Sequence, residues 1–148
     1  MSNNKKNMKK TSKKPVKKMV KAPKPVKKIL EYYYMTDREV TAKELSKLIT
    51  VVDEEQVEIW PEINLMEVIL TSDSLIFEDA KECFIDPLDL EFLEEKKILS
   101  IYQVSFEQGD TKKVVEIFKE LFEKAGGFLA SDSEDFSPFY TLENIEEL

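Results

Sequence analysis

Between Ile98 and Ser131 the sequence reads as a strand, a helix and a second strand with a signal at every boundary, so any fold must accommodate this unit. Ile98, Ser100, Tyr102, Val104 and Phe106 sit at alternate positions of a half-buried strand. Gly109-Asp110 breaks the alternation and offers a helix cap. Val114, Val115, Phe118, Leu121, Phe122 and Ala125 then fall on one stripe at helical period, and Gly126-Gly127 closes the helix. On the outer side of that stripe, Glu116, Lys119, Glu120 and Glu123 are expected in solvent. Phe128-Leu129-Ala130 is the short second strand.

The segments before this unit follow similar rules. Tyr32-Tyr33-Tyr34-Met35 is extended and packs on the body. Thr41-x-x-Glu44 is a capping box flanked by Val40 and Leu45, which predicts a helix over 42–49 with Leu45, Leu48 and Ile49 inward. Strands are predicted over 56–60, 65–71 and 74–78, and the short links Pro61-Glu62-Ile63-Asn64 and Ser72-Asp73 favour antiparallel hairpins. Asp86-Pro87-x-Asp89 starts a helix over 87–97, with Leu88, Leu90, Phe92 and Leu93 toward the core. After the last strand, 131–138 is an irregular acidic loop, and Thr141 caps a short terminal helix bearing Leu142, Ile145 and Leu148.

This order predicts an α+β fold: a two-layer sandwich of ferredoxin-like type, with a mainly antiparallel sheet and helices on one face. Residues 31–148 make one domain, and 1–30 form a tail too poor in apolar side chains to offset the entropy of ordering, read as disordered. Within the tail, Lys14-Pro15-Val16-Lys17-Lys18-Met19-Val20 recurs ten residues later as Lys24-Pro25-Val26-Lys27-Lys28-Ile29-Leu30.

Charge divides the chain at the same place. The tail carries twelve lysines and no acid, while the body keeps all 30 acidic residues against ten basic ones. A body at −20 behind a tail at +12 points to an interaction arm on a domain of opposite sign. Histidine is absent and Cys83 is the one cysteine, which excludes internal disulfides, His-based triads and the usual His/Cys metal clusters. With Glu82 and Asp86 as neighbours, Cys83 reads as a buried, inert thiol in a reducing cytoplasm. Three glycines supply no phosphate loop or dinucleotide fingerprint. No cofactor is expected.

Three acidic groups remain. Asp53, Glu54, Glu55 and Glu58 read as a solvated turn, and Asp86, Asp89, Glu91, Glu94 and Glu95 as an acidic run along one helix, with Glu91 and Glu95 on one face as a negative stripe. The third, Asp132, Glu134, Asp135 with Phe136, Phe139 and Tyr140, sets acids beside aromatics where a core strand ends, a mixture suited to partner contact. Its spacing lacks the central Gly and terminal Glu of an EF-hand loop, so no metal is expected there. The expected function is a noncatalytic acidic binding module, in size and charge similar to small bacterial immunity and inhibitor proteins, that blocks a basic protein partner, for example a nucleic-acid-binding one. One alternative is an accessory protein tethered to nucleic acid through Lys14, Lys17, Lys18, Lys24, Lys27 and Lys28, which would hold phosphate without reading bases. The other is a carboxylate-dependent hydrolase.

Overall fold

The computed structural model describes residues 27–148. The chain joins the sheet at Ile29, slightly before the expected domain start. Strand β1 (Ile29–Thr36) leads to helix α1 (Ala42–Leu48) and the strands β2 (Val57–Trp60), β3 (Leu65–Ile69) and β4 (Ser74–Asp79). Helix α2 (Pro87–Glu95), strand β5 (Ser100–Glu107), helix α3 (Thr111–Ala125) and strand β6 (Phe128–Ser131) follow. A two-residue strand β7 (Phe139–Tyr140), with no counterpart in the sequence reading, closes the sheet, and the expected terminal helix is a 3₁₀ turn at Ile145–Glu147. The fold is α+β, with seven strands in the order β2-β3-β4-β5-β1-β6-β7 and every neighbouring pair antiparallel. Strands β5 and β6 are therefore parallel to each other, with β1 inserted between them. No helix among the described residues is long and apolar enough to cross a membrane.

Tyrosine-rich β1 is interior to the sheet. Alternation sends Tyr32 and Tyr34 to one face and Tyr33 and Met35 to the other. On the first face α1 and α3 cover Tyr34, Phe77, Tyr102, Val104 and Phe106, and the Tyr34 ring lies 5.9 Å from Phe118 and 6.2 Å from Phe122. The capping box forms as predicted: the Thr41 hydroxyl accepts from the Glu44 amide at 3.1 Å, and the Glu44 carboxylate accepts from the Thr41 amide at 2.9 Å. The apolar stripe of α3 is buried as expected, together with Ile117 and, against expectation, Glu120.

Helix α2 corrects the expectation that all helices share one face. Its Phe92 and Leu93 pack against Met35, Ile101 and Ala130, on the second face of the sheet. Leu88 and Leu90, expected inward, are 75% and 49% exposed. Apolar side chains at 88, 90, 92 and 93 point around the helix, so only the last two can meet the sheet. This layer covers one end of the second face and leaves the opposite end open.

Polar side chains set the links between layers. Asn64, in the left-handed region at φ 50°, accepts from the Ala42 amide at 2.7 Å and donates to Asp79 and to the Tyr102 hydroxyl. Buried Asp110, before α3, accepts from the Ser72 and Asp73 amides at 3.0 Å each and so holds the β3–β4 turn. Asp110→Ala strands both amides and is expected to cost about 1–2 kcal/mol, read as a lower urea midpoint at unchanged m-value. Asp110→Asn, which retains one acceptor, should recover part of the loss.

Candidate functional site

The loop after β6 is held in shape by its own polar groups. The Ser131 amide donates to the Phe136 carbonyl at 2.9 Å, and the Ser131 and Ser133 hydroxyls donate to the Pro138 and Ser137 carbonyls at 2.7 Å each. Asp135 accepts from the Ser137 hydroxyl at 2.7 Å and from the Ser137 amide at 3.2 Å, and these bonds hold its carboxyl below the ordinary range. Asp135 thus shapes the loop, with its carboxylate turned to its own backbone.

Phe136 takes a positive φ of 64° and turns inward, only 5% exposed. Its ring lies 4.8 Å from Phe92 and 5.8 Å from Phe84, which fastens the loop to α2. Phe139 also stacks on Phe92, at 5.9 Å, from the same face. Tyr140 points to the other face and meets Tyr32 edge-on. The six loop residues expected as one surface therefore divide: Phe136 and Phe139 bind the loop down, Tyr140 is on the far side, Asp135 is exposed but bonded to Ser137, and Asp132 and Glu134 are exposed.

Those two acids form one wall of a cleft of about 410 Å³, and α2 with the turn before it forms the other. Asp86 and Asp89 face them across the cleft, over a floor that includes Tyr33, Phe84 and Phe136. Glu91 and Glu95 are exposed on α2 and lie outside the lining. Asp86 serves twice, since its carboxylate also caps α2 by accepting from the Leu88 amide at 2.8 Å. The sequence reading took Asp86 and Asp89 as helix-start signals and as part of the acidic run along that helix, without setting them opposite the loop acids. Their three-residue spacing, which sets both on one helix face, is the signal that carries them to the cleft.

Electrostatics agree with this layout. Burial raises the pKa of the Tyr33 hydroxyl, and the nearby carboxylates of Asp132, Glu31 and Asp89 raise it further. Cys83 corrects another expectation: it is exposed, at the cleft edge in a 3₁₀ turn. Next to the acids lie Ile85 at 82% exposure and Leu88 at 75%, an apolar rim on an acidic slot. Among the described residues, no group of three Asp, Glu or Cys side chains is placed to hold a metal ion.

Of the expected phosphate-binding lysines, Lys14, Lys17, Lys18 and Lys24 lie outside the described residues. Lys27 pairs with Asp73 at 3.1 Å, and the Lys28 amide donates to Glu107 at 3.4 Å, so the root of the arm contacts the body's own acids. Neither a protein-family model, a curated protein nor a solved structure matches this chain.

Proposed function

We propose that the protein is a noncatalytic binding module whose cleft between α2 and the Asp132–Pro138 loop engages a basic surface of a partner protein. The observation that carries this is the pairing of four acids, Asp86, Asp89, Asp132 and Glu134, with the exposed Ile85 and Leu88 beside them. Acids steer a cationic partner, and desolvated apolar contact gives the complex its lifetime. The loop presents its acids from a rigid base, since Phe136 and the bonds of Asp135 hold it before any partner arrives. A nucleic-acid-binding protein fits this chemistry, because a surface that binds phosphate is one that an acidic face can occupy and inhibit. The ferredoxin-like label is likewise our reading, supported by the β5–α3–β6 unit split by β1.

Affinity capture from native lysate with the full chain tests the reading. The captured species should be basic and should be lost in 0.5 M salt, where the Debye length falls to about 4 Å. The Asp89→Lys and Glu134→Lys variants should each weaken capture about tenfold. Capture unchanged by both charge reversals, or no basic species at low salt, would overturn it.

A further inference from the structure

The sheet has two edges, β2 and β7. Strand β7 is two residues long and follows Pro138, which has no amide to offer. Strand β2 is the open edge, with neither Lys nor Pro between Val57 and Trp60. Which of its backbone groups face outward follows from the neighbouring hairpin. The Leu70 amide donates to the Asp73 carbonyl at 3.1 Å, so Val68 and Met66, at alternate positions before Leu70, bond to β4. Leu65 and Glu67 then bond to β2, through Trp60 and Glu58. This leaves Val57 and Ile59 turned to the open side. The Val57 amide is taken by the Glu54 carbonyl, and the Val57 carbonyl and both backbone groups of Ile59 have no protein partner among the described residues.

The side chains of Val57 and Ile59 lie on the first sheet face, under α1. There a groove of about 690 Å³ runs between α1 and the edge, with Lys43 and Lys47 on its helical wall and Ile49, Val52, Val57 and Ile59 as its apolar lining. Lys43 and Lys47 are exposed and one helical turn apart, and among the described residues no carboxylate lies within ion-pair distance of either. Other lysines on this side are matched: Lys113 and Lys124, which donate to the Val51 and Leu48 carbonyls, pair with Glu116 and Glu120. A strongly acidic body thus sets two unmatched cations beside an unpaired strand edge.

We propose that the β2 edge accepts an added strand, an extended segment of another protein that pairs with the Ile59 backbone and sets acidic side chains against Lys43 and Lys47. Main-chain bonds hold the segment, and charge selects it. Glu54, in the turn where β2 begins, also lines the groove, so the incoming acids belong beyond it, toward Ile59 and Pro61. A second copy of this chain is the wrong occupant, because antiparallel pairing of two β2 edges would set the lysines of both α1 helices against each other. The lysine-rich sequence ahead of β1 has the wrong sign as well. This edge is separate from the α2 cleft, and either assignment stands without the other.

The probe is a fluorescein-labelled peptide with Thr at alternate positions and Val, Glu and Glu between them, added to the full chain at low salt. Fluorescence anisotropy should show saturable binding, weakened about fivefold in the K43Q/K47Q variant. Methylating the peptide's backbone amides should weaken it about tenfold, and replacing both Glu with Lys should do at least as much. At saturation, hydrogen exchange of the Ile59 amide should slow about tenfold, while the Glu58 amide, already bonded to β3, should not change. No binding, equal binding by K43Q/K47Q or by the methylated peptide, or an Ile59 amide that exchanges as fast with peptide as without it would overturn the proposal. So would slowing of Ile59 exchange with rising protein concentration alone, because a second copy would then be the occupant.

Discussion

Gly127→Ala is expected to unfold the protein about 10 °C or more earlier than the unsubstituted chain, from a loss of about 3–5 kcal/mol. Two costs combine. Gly127 has φ +86°, a conformation in which a side chain is strained by about 1–2 kcal/mol. An added Cβ would also lie 2.4 Å from the Met35 carbonyl oxygen and 2.9 Å from the Thr36 Cβ, both on interior strand β1. Those atoms cannot yield, since Thr36 is fully buried and its hydroxyl donates to the Ala125 carbonyl at 3.0 Å. Gly126 is the control: at φ +71° it carries the backbone strain, but an added Cβ would meet nothing within 4 Å. Gly126→Ala should therefore cost only about 1–2 kcal/mol. Thermal unfolding of the two variants separates strain from collision, and equal losses would refute the collision argument.

The same pair shows what the sequence could convey. Gly-Gly after an apolar stripe marks a helix end through local rules alone, and α3 ends there. Which glycine carries the larger burden depends on β1, some ninety residues earlier, and no local rule reaches that far. Alternation and caps likewise made β1, the β2–β3–β4 hairpins, α1 and the β5–α3–β6 unit legible, because each is specified within about ten residues. The placement of α2 was not legible. Its apolar side chains do not form a single stripe, so its packing face is chosen by the Phe84, Phe136 and Phe139 rings that arrive from other parts of the chain. The candidate site was half legible for a related reason. Asp132 and Glu134 are where the loop signal put them, but Phe136 turns inward to anchor the loop, and the opposing acids come from a helix that is remote in sequence.

Glu120 was expected in solvent, yet its substitution is expected to cost nearly as much as that at Gly127. The side chain is only 8% exposed and fastens α3 to the segment leaving α1. Its carboxylate accepts from the Thr50 amide at 2.7 Å, the Val51 amide at 3.3 Å, the Thr50 hydroxyl, and the Lys124 ammonium at 2.7 Å. Burial pushes this carboxyl up, but the bonds from Lys124 and from Thr50 and Val51 outweigh it and hold the group at about 2, against an ordinary 4.5. A carboxyl held lower in the folded state than in the unfolded one stabilises the fold above the unfolded value, and the benefit disappears as pH falls toward the folded value. Glu120→Gln should accordingly cost about 2–3 kcal/mol at pH 7. The difference between the two proteins should stay constant above roughly pH 5.5 and shrink steadily as pH falls through 4.5 toward 2. Urea unfolding of both proteins across this range measures it, and the other acids cancel because they are common to the pair. A difference that is flat down to pH 2 would mean that Glu120 acts through its shape and hydrogen-bonding atoms alone, with no contribution from its charge.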